Sequence, residues 1–219
     1  LEKEGFKITK RVAGIPTAFV AEFGSSGPVI GILGEFDALP GLAQTNSPFK
    51  EVAINDSGGG HACGHHLFGA ASAWAAVSIK EWLVENDIEG TVRFYGTPAE
   101  EGGSGKVYMV REGLFDDVDV VLHWHPDDVN SANPKTSNSN KSAKFTFKGI
   151  SAHAAGSPEL GRSALDGVEA MNMMVNMMRE HIPQESRMHY VITKGGLAPN
   201  VVPDLAEVYY YVRHPEMKV

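Results

Sequence analysis

Three short stretches of this sequence carry side chains that bind metal ions. Each stretch holds two of them within two positions of one another: Cys63 and His65, Glu100 and Glu101, and His123 and His125. Thiolate, imidazole and carboxylate groups together suit borderline metals such as Zn or Mn, and suit Mg or Ca poorly. These residue types predict a metal site and leave the choice between Zn and Mn open.

Apolar runs at 28–34, 91–95 and 118–122 predict strands that are buried on both faces of a parallel sheet. The carboxyl ends of parallel strands meet at one sheet edge, which is where ligands bind in open α/β folds. The first run is followed by Glu35 and Asp37, and the other two lead into the paired glutamates and the paired histidines. We therefore expect all these side chains at one edge.

A helical stretch at 66–85 follows Cys63 and His65 directly, with Gly64 allowing a sharp turn between them. A helix N-terminus favours thiolate over thiol, which is the form that binds metal. The apolar residues near helical spacing are Leu67, Ala71, Trp74, Val77 and Trp82. A shorter helix is expected at 104–112, with Ser104 as its N-cap.

Glu100 and Glu101 follow the second predicted strand. In an extended segment their side chains point to opposite sides, so one carboxylate is free to bind metal while the other handles a proton. A cysteine protease is disfavoured, because this acidic pair raises the pKa of a thiol. The loop before Lys106 lacks the glycine and hydroxyl spacing of a phosphate-binding loop.

The polar segment 133–142 predicts a linker between two blocks, 1–135 and 136–219. The first block alternates strands and helices, which is typical of an α/β sheet. The second reads as strand, helix, strand, strand and predicts a small α+β unit with an antiparallel sheet, like an incomplete ferredoxin-like fold. Its helix is expected at 163–181 and its last two strands at 188–193 and 207–213.

Composition narrows the class of protein. The 219 residues carry a net charge of -8, which disfavours nucleic acid as a partner because phosphate binding needs a basic surface. No apolar run approaches the ~20 residues that span a membrane, so no membrane partner is expected. The single cysteine is typical of a reducing compartment and predicts a cytoplasmic location.

The sequence resembles the di-metal amidohydrolases related to aminoacylase, carboxypeptidase G and the indoleacetyl-amino-acid hydrolases. The matching stretches, in the family's order, are GEFDALPGL at 34–42, GHACGHH at 60–66, FYGTPAEEGGSGK at 94–106, LHWHP at 122–126, GISAHAAGSPELGRSAL at 149–165 and GGLAPNVVP at 195–203. The resemblance implies a metal-dependent hydrolase with two divalent ions (Mn or Zn). The implied reaction cleaves the amide bond of an N-acyl amino acid such as p-aminobenzoyl-glutamate.

The resemblance also implies a role for nine residues. Those that match metal ligands are Cys63, His65, Glu101 and His125. Glu100 matches the general base, and Asp37 matches the carboxylate that supports a ligand. His153 matches a histidine that reaches a partner subunit's active site, and Asn200 and Arg213 match residues that hold substrate.

The fold that the resemblance implies is a zinc-peptidase-like three-layer catalytic domain with an inserted α+β lid. That lid also forms a homodimer, and a second kind of subunit is a further possible partner. The chain resembles an internal portion of both domains, so we expect one more histidine ligand from a later segment and no activity from residues 1–219 alone. Two alternatives stay open: a dipeptidase or carboxypeptidase of the same family, and a metal-binding scaffold subunit without turnover.

Overall fold

The computed structural model describes residues 1–53, 58–132 and 136–219. The chain divides into two compact units, Leu1–Asn130 and Ser131–Val219. Unit 1 contains β1 (Lys7–Lys10), β2 (Phe19–Phe23), β3 (Val29–Gly34), β4 (Leu39–Pro40), β5 (Gly59–Gly60), α1 (His65–Glu85), β6 (Thr91–Gly96), α2 (Glu100–Gly103), α3 (Gly105–Arg111) and β7 (Val120–Leu122). Unit 2 contains β8 (Ser139–Lys148), α4 (Ala164–Met178), β9 (Arg187–Lys194) and β10 (Leu205–His214).

The main sheet of unit 1 is mixed, with the order β1-β2-β6-β3-β7. The predicted strands β3, β6 and β7 are parallel to one another, as expected. Strands β1 and β2 were not predicted from the sequence; they pair antiparallel and extend the sheet beyond β6. The α/β class is therefore confirmed, and the predicted parallel sheet is correct for these three strands but not for the sheet as a whole.

Helices cover both faces of this sheet, because neighbouring residues on a strand point to opposite sides. Phe94 packs toward α1 in a core with Ala76 and Val77. The next residue, Tyr95, packs on the other face with Met109 of α3. Unit 1 thus has three layers, with the sheet in the middle.

Helix α1 begins at His65 and ends at Glu85, within one residue of the prediction. Its predicted apolar stripe is wrong except at Val77, since Leu67, Trp74 and Trp82 are exposed. The buried residues are His65, Phe68, Ser72, Ala76, Val77 and Leu83. The helix is apolar on nearly all sides, so residue spacing alone did not identify the face that packs on the sheet.

Two further local predictions need correction. Ser104 stands at the N-cap position of α3, but its backbone is left-handed (φ 52°) and its side chain makes no capping hydrogen bond. The third strand, β7, is shorter than predicted, and Val120, Val121 and Leu122 are each at least 42% exposed. It is the edge strand of the sheet within the described residues, so it lacks a neighbour on one side.

Unit 2 is an antiparallel sheet of order β8-β10-β9 with α4 packed on one face. Its core contains Val168 of α4 and Val208 and Tyr210 of β10. Ser163 caps α4 by accepting a hydrogen bond from the backbone N–H of Asp166 at 3.1 Å. Strand, helix, strand, strand is the predicted order.

The predicted linker is wrong over residues 139–142, which form the start of β8 and pair with β10. Polar side chains are compatible with that strand because most of its residues are exposed. Residues 133–135 of the predicted linker lie outside the described residues. Among the described helices, none has the length and apolar character needed to cross a membrane.

Candidate metal centre

The three strand ends meet at one edge of the sheet, as the sequence predicts. Gly34 at the end of β3 pairs in register with Gly96 at the end of β6, and Ile32 pairs with Leu122 at the end of β7. The segments that follow these strands therefore emerge side by side. The N-terminus of α1 lies at the same edge, which brings Cys63 and His65 to them.

Asp37 joins three of these elements. One carboxylate oxygen, Oδ1, lies 3.1 Å from Nδ1 of His65 at the start of α1. The other, Oδ2, accepts a hydrogen bond from the backbone N–H of Glu101 at 2.9 Å. In the neutral tautomer whose proton is on Nδ1, facing the Asp37 carboxylate, Nε2 of His65 presents a lone pair. A histidine held in this way by a carboxylate is typical of a metal ligand.

Cys63 and His125 face each other at the same place. Sγ of Cys63 lies 3.3 Å from Nε2 of His125. Nδ1 of His125 lies 2.9 Å from the carbonyl oxygen of Pro126, so this nitrogen donates and Nε2 is left to bind. The candidate ligand atoms of Cys63, His65 and His125 all lie within 4.8 Å of one another. One metal ion can therefore contact all three.

The thiol of Cys63 does not have the low pKa that the sequence analysis expected from a helix N-terminus. Burial, and then the neighbouring carboxylates of Glu101 and Glu100, raise its pKa to about 11. Cys63 precedes the N-cap Gly64, so it lies outside α1 and gains little from the dipole. Acidic neighbours also make this cysteine a poor nucleophile, as the sequence indicates.

Glu100 and Glu101 are the first two residues of the short helix α2 and are not extended, contrary to the expectation. Both carboxylates approach Nε2 of His65, at 3.9 Å for Glu100 and 3.7 Å for Glu101. They differ in exposure: the side chain of Glu100 is 46% exposed and that of Glu101 is 22% exposed. The more exposed carboxylate is the better placed to meet a substrate.

A buried aromatic ring packs against three histidines of the site. Phe68, one turn into α1, is fully buried. Its ring centroid lies 5.4 to 5.7 Å from those of four neighbours, which are His65, His123, Trp124 and His125. Trp124 is further fixed by a hydrogen bond from Nε1 to Ser72 Oγ at 3.0 Å. These contacts limit the rotation of the imidazole rings.

Glu35 is a residue of this site to which the sequence analysis assigned no role. Its side chain is 3% exposed, and it contacts Nζ of Lys106, Nε2 of His123 and Nε2 of His65. Burial raises its pKa, but the hydrogen bonds and charges of His123 and Lys106 outweigh that effect and lower the pKa to about 2. In the sequence, its position directly after a buried strand and two residues before Asp37 indicates that Glu35 belongs to the site.

The donor set fits a bound cation. Among the described residues, Glu35 Oε2, His65 Nε2 and Glu101 Oε1 are buried atoms with no hydrogen-bond partner. Leaving such atoms unpaired is costly, and a metal ion that accepts a lone pair from such an atom removes that cost. The sulfur, imidazole and carboxylate donors are those expected for Zn or Mn.

The structure places the remaining candidate residues in unit 2 and brings two of them together. His153 pairs with Val201, and the backbone N–H of Ala154 donates to the carbonyl oxygen of Asn200 at 3.0 Å. His153 Nδ1 accepts a hydrogen bond from the backbone N–H of Gly156 at 2.9 Å. Arg213 lies near the C-terminal end of β10, whereas Asn200 precedes the start of that strand. The Arg213 guanidinium lies over the Tyr211 ring.

Comparison with known proteins identifies the family. The sequence profile of peptidase family M20/M25/M40 matches residues 31–208, which is most of the chain. The chain belongs to this family. It is 51% identical over 218 residues to the B-type component of p-aminobenzoyl-glutamate hydrolase of Escherichia coli (strain K12), covering 99% of this chain and 45% of that protein. It is 34% identical over 215 residues to Xaa-Arg dipeptidase of Mus musculus, covering 94% of this chain and 46% of that protein.

A solved M20 structure has the same fold. The YXEP protein of Bacillus subtilis, described as a dinuclear metal-binding peptidase, superposes with a TM-score of 0.64 at 26% identity. The match covers 100% of this chain and 56% of that one. This chain thus spans about half the length of these M20 relatives. The resemblance of its sequence to metal-dependent hydrolases is confirmed at the level of the family.

Proposed function

We propose that this chain is part of a metal-dependent hydrolase that cleaves the amide bond of an N-acyl amino acid similar to p-aminobenzoyl-glutamate. The observation that carries the proposal is the convergence of Cys63, His65 and His125 beside two glutamates at one sheet edge. The 51% identity to a component of p-aminobenzoyl-glutamate hydrolase supports the choice of substrate.

Two divalent ions, Mn or Zn, would be held by Cys63, His65, Glu101 and His125, with Asp37 orienting His65. Ions of this kind polarise a carbonyl group and lower the pKa of water toward neutrality. His65 Nε2 and Glu101 Oε1, which are buried without a hydrogen-bond partner among the described residues, support this ligand assignment. The dinuclear description of the related YXEP protein supports the number of ions.

Glu100 is the proposed general base. It accepts the proton of the attacking water and returns it to the departing amine. Its exposed carboxylate lies beside a cleft of about 400 Å³, which is lined partly by Leu33, Val107 and His123. That cleft offers space for one side of a substrate next to the base.

His153 is the proposed oxyanion donor, and it acts in the active site of a partner subunit. Its Nδ1 accepts from Gly156, so the neutral ring carries its proton on Nε2 and can donate it to a developing negative charge. Asn200, its backbone neighbour, and Arg213 are the proposed substrate-holding residues. In this proposal residues 1–135 belong to the catalytic domain and residues 136–219 to an inserted lid that forms a homodimer.

The relatives suggest two further elements of the proposal. Two differently named components occur among the p-aminobenzoyl-glutamate hydrolases, so a second kind of subunit is a proposed partner. Xaa-Arg dipeptidase, at 34% identity, makes dipeptide hydrolysis the second candidate function. The single free cysteine agrees with a cytoplasmic location, which is also part of the proposal.

An activity screen of the full-length protein tests the proposal. The protein is loaded with Mn or Zn and assayed on p-aminobenzoyl-glutamate, an N-acetyl amino acid and a dipeptide, with a chelator-treated sample as control. We expect metal-dependent release of glutamate from the first substrate. Turnover of the dipeptide alone would favour the second function, and no turnover of any substrate with full metal loading would favour a scaffold role.

A further inference from the structure

The sheet edge holds one buried carboxylate that the roles proposed above leave unused. Glu35 directly follows β3, and its two oxygens have different surroundings. Oε1 contacts Nζ of Lys106 and lies 3.3 Å from Nε2 of His123. Oε2 is buried and has no hydrogen-bond partner among the described residues. Lys106 and His123 thus occupy Oε1, and Oε2 is available to bind another group.

The His65 ring lies next to that second oxygen. Nε2 of His65 lies 3.2 Å from Glu35 Oε2 and is likewise buried without a hydrogen-bond partner in the described part of the chain. Nδ1 of His65 lies 3.1 Å from Oδ1 of Asp37, so the neutral tautomer that donates to Asp37 has its lone pair on Nε2. In this tautomer two lone-pair atoms face each other at 3.2 Å, and both are buried. Such an arrangement is costly without a cation that both atoms contact.

The backbone fixes this contact. Gly69, one turn after His65, lies so close to β3 that an added Cβ would be 2.4 Å from the carbonyl oxygen of Glu35. Helix α1 and the end of β3 are thus packed backbone to backbone. On the other side, Gly105 packs against the carbonyl oxygen of Pro98 and starts the helix that carries Lys106. Glu35 therefore contacts α1 through its backbone and α3 through Lys106.

We propose that Glu35 is itself a metal ligand, with Oε2 binding the same ion as Nε2 of His65. Lys106 and His123 are positioning residues that occupy Oε1 and turn Oε2 toward the ion. The carboxylate of Glu100 lies within 4.8 Å of the ligand atoms of Glu35 and His65, so the proposed base is next to the ion that they would bind. This inference rests on the proposed function, because it adds a ligand to the metal centre described there.

Metal affinity of the full-length Glu35→Gln protein tests the inference. Dissociation constants for Zn and Mn are measured by chelator competition, and Co(II) absorption reports the ligand set. We expect one metal equivalent to bind more than about 100-fold more weakly, beyond the 10–100-fold effect of losing an outer partner. The Co(II) bands should shift as well, since the amide is a weaker ligand than the carboxylate.

Glu22→Gln is the matched control. Glu22 lies in β2 and, like Glu35, pairs with a basic side chain: it accepts a 2.7 Å hydrogen bond from Nε of Arg93. Its substitution should leave affinity and Co(II) spectrum unchanged. If the wild-type protein binds two ions and Glu35→Gln matches Glu22→Gln, the inference is wrong and the proposed function stands. If the wild-type protein binds no metal, the proposed function itself fails.

A crystal structure of the metal-loaded wild-type protein decides the question without a variant, in case Glu35→Gln does not fold. Glu35 Oε2 should lie about 2.0–2.2 Å from a zinc ion, the usual carboxylate distance. A separation beyond about 3 Å, with His65 bound to the ion, would overturn the assignment.

Discussion

At the scale of single residues, Asp37 and Glu35 define the geometry of the candidate centre. Asp37 contacts Nδ1 of His65 and accepts a hydrogen bond from the backbone N–H of Glu101, so it sets the orientation of one proposed ligand and the position of the next. Glu35 brings a buried negative charge to the opposite side of the His65 ring. The imidazole is thereby fixed with its Nε2 lone pair toward the other candidate ligands.

Glu100→Gln should reduce turnover by about 10²–10⁴-fold and leave metal content nearly unchanged. Glutamine keeps the shape of the side chain but cannot accept a proton from water. Steady-state kinetics and metal analysis of the same full-length preparation measure both effects. A fall in metal content that parallels the loss of activity would mean that Glu100 is a required ligand and that the roles of the two glutamates are inverted.

His125→Ala should weaken metal binding more than His123→Ala. His125 Nε2 faces Sγ of Cys63 at 3.3 Å, whereas His123 Nε2 is directed at Glu35. Loss of His123 is expected to cost no more than about 10–100-fold in affinity, the range for outer partners. Chelator titration of the two variants, each compared with wild type, measures the difference. Equal losses would refute the assignment.

At the scale of secondary-structure elements, the sequence predicted the parallel strands β3, β6 and β7 and the helices α1 and α4. It did so because parallel strands carry continuous apolar runs and a helix has apolar residues three or four positions apart. The run at 118–122 predicted β7 correctly as a strand, although β7 is exposed and not buried. The face of α1 was not predictable, since Leu67 and Trp74 are as apolar as the buried Phe68.

The candidate site was predictable only in part from the sequence. Cys63, His65 and the strand-end residues share one edge because parallel strands end together. Glu35 was not assigned because its role depends on Lys106, which lies 71 positions away in the chain. The helical geometry of Glu100 and Glu101 was also missed, because it depends on the left-handed backbone of Ala99 (φ 60°).

Gly69→Ala tests the packing of α1 on the end of β3. Helix propensity alone favours alanine by about 1 kcal/mol. The added Cβ, however, would lie 2.4 Å from the carbonyl oxygen of Glu35, so we expect a net loss of about 1–3 kcal/mol in the free energy of unfolding, together with weaker metal binding.

Gly102→Ala is the control for this substitution, since it is also helical and an added Cβ has no neighbour within 4 Å. Urea unfolding and metal titration of both variants measure the effects. If Gly69→Ala proves as stable as Gly102→Ala, the close approach of helix and strand is not a constraint on the fold.

At the scale of the whole molecule, the proposed function assigns roles to residues of both compact units. The metal-binding candidates lie in unit 1, and His153, Asn200 and Arg213 lie in unit 2. If unit 2 mediates a two-fold dimer, each lid can supply His153 to its partner. Catalysis would then require the dimer, because a monomer would lack His153 in its active site.

Mixing the Glu100→Gln and His153→Ala proteins tests this arrangement. Each is expected to be inactive alone, and subunit exchange should create one site with both residues intact. Activity should therefore return as mixed dimers form, while mixing two samples of the same variant gives none. No recovery after exchange has been demonstrated with labelled subunits would show that His153 does not act in a partner's site.

The most direct test of the central claim is a metal titration of activity. The full-length protein is stripped with a chelator, and hydrolysis of p-aminobenzoyl-glutamate is followed as Mn or Zn is added back. A two-metal centre predicts no turnover in the stripped protein and a rise that reaches its plateau at two equivalents per chain. Full activity without metal, or a plateau at one equivalent, would contradict the account.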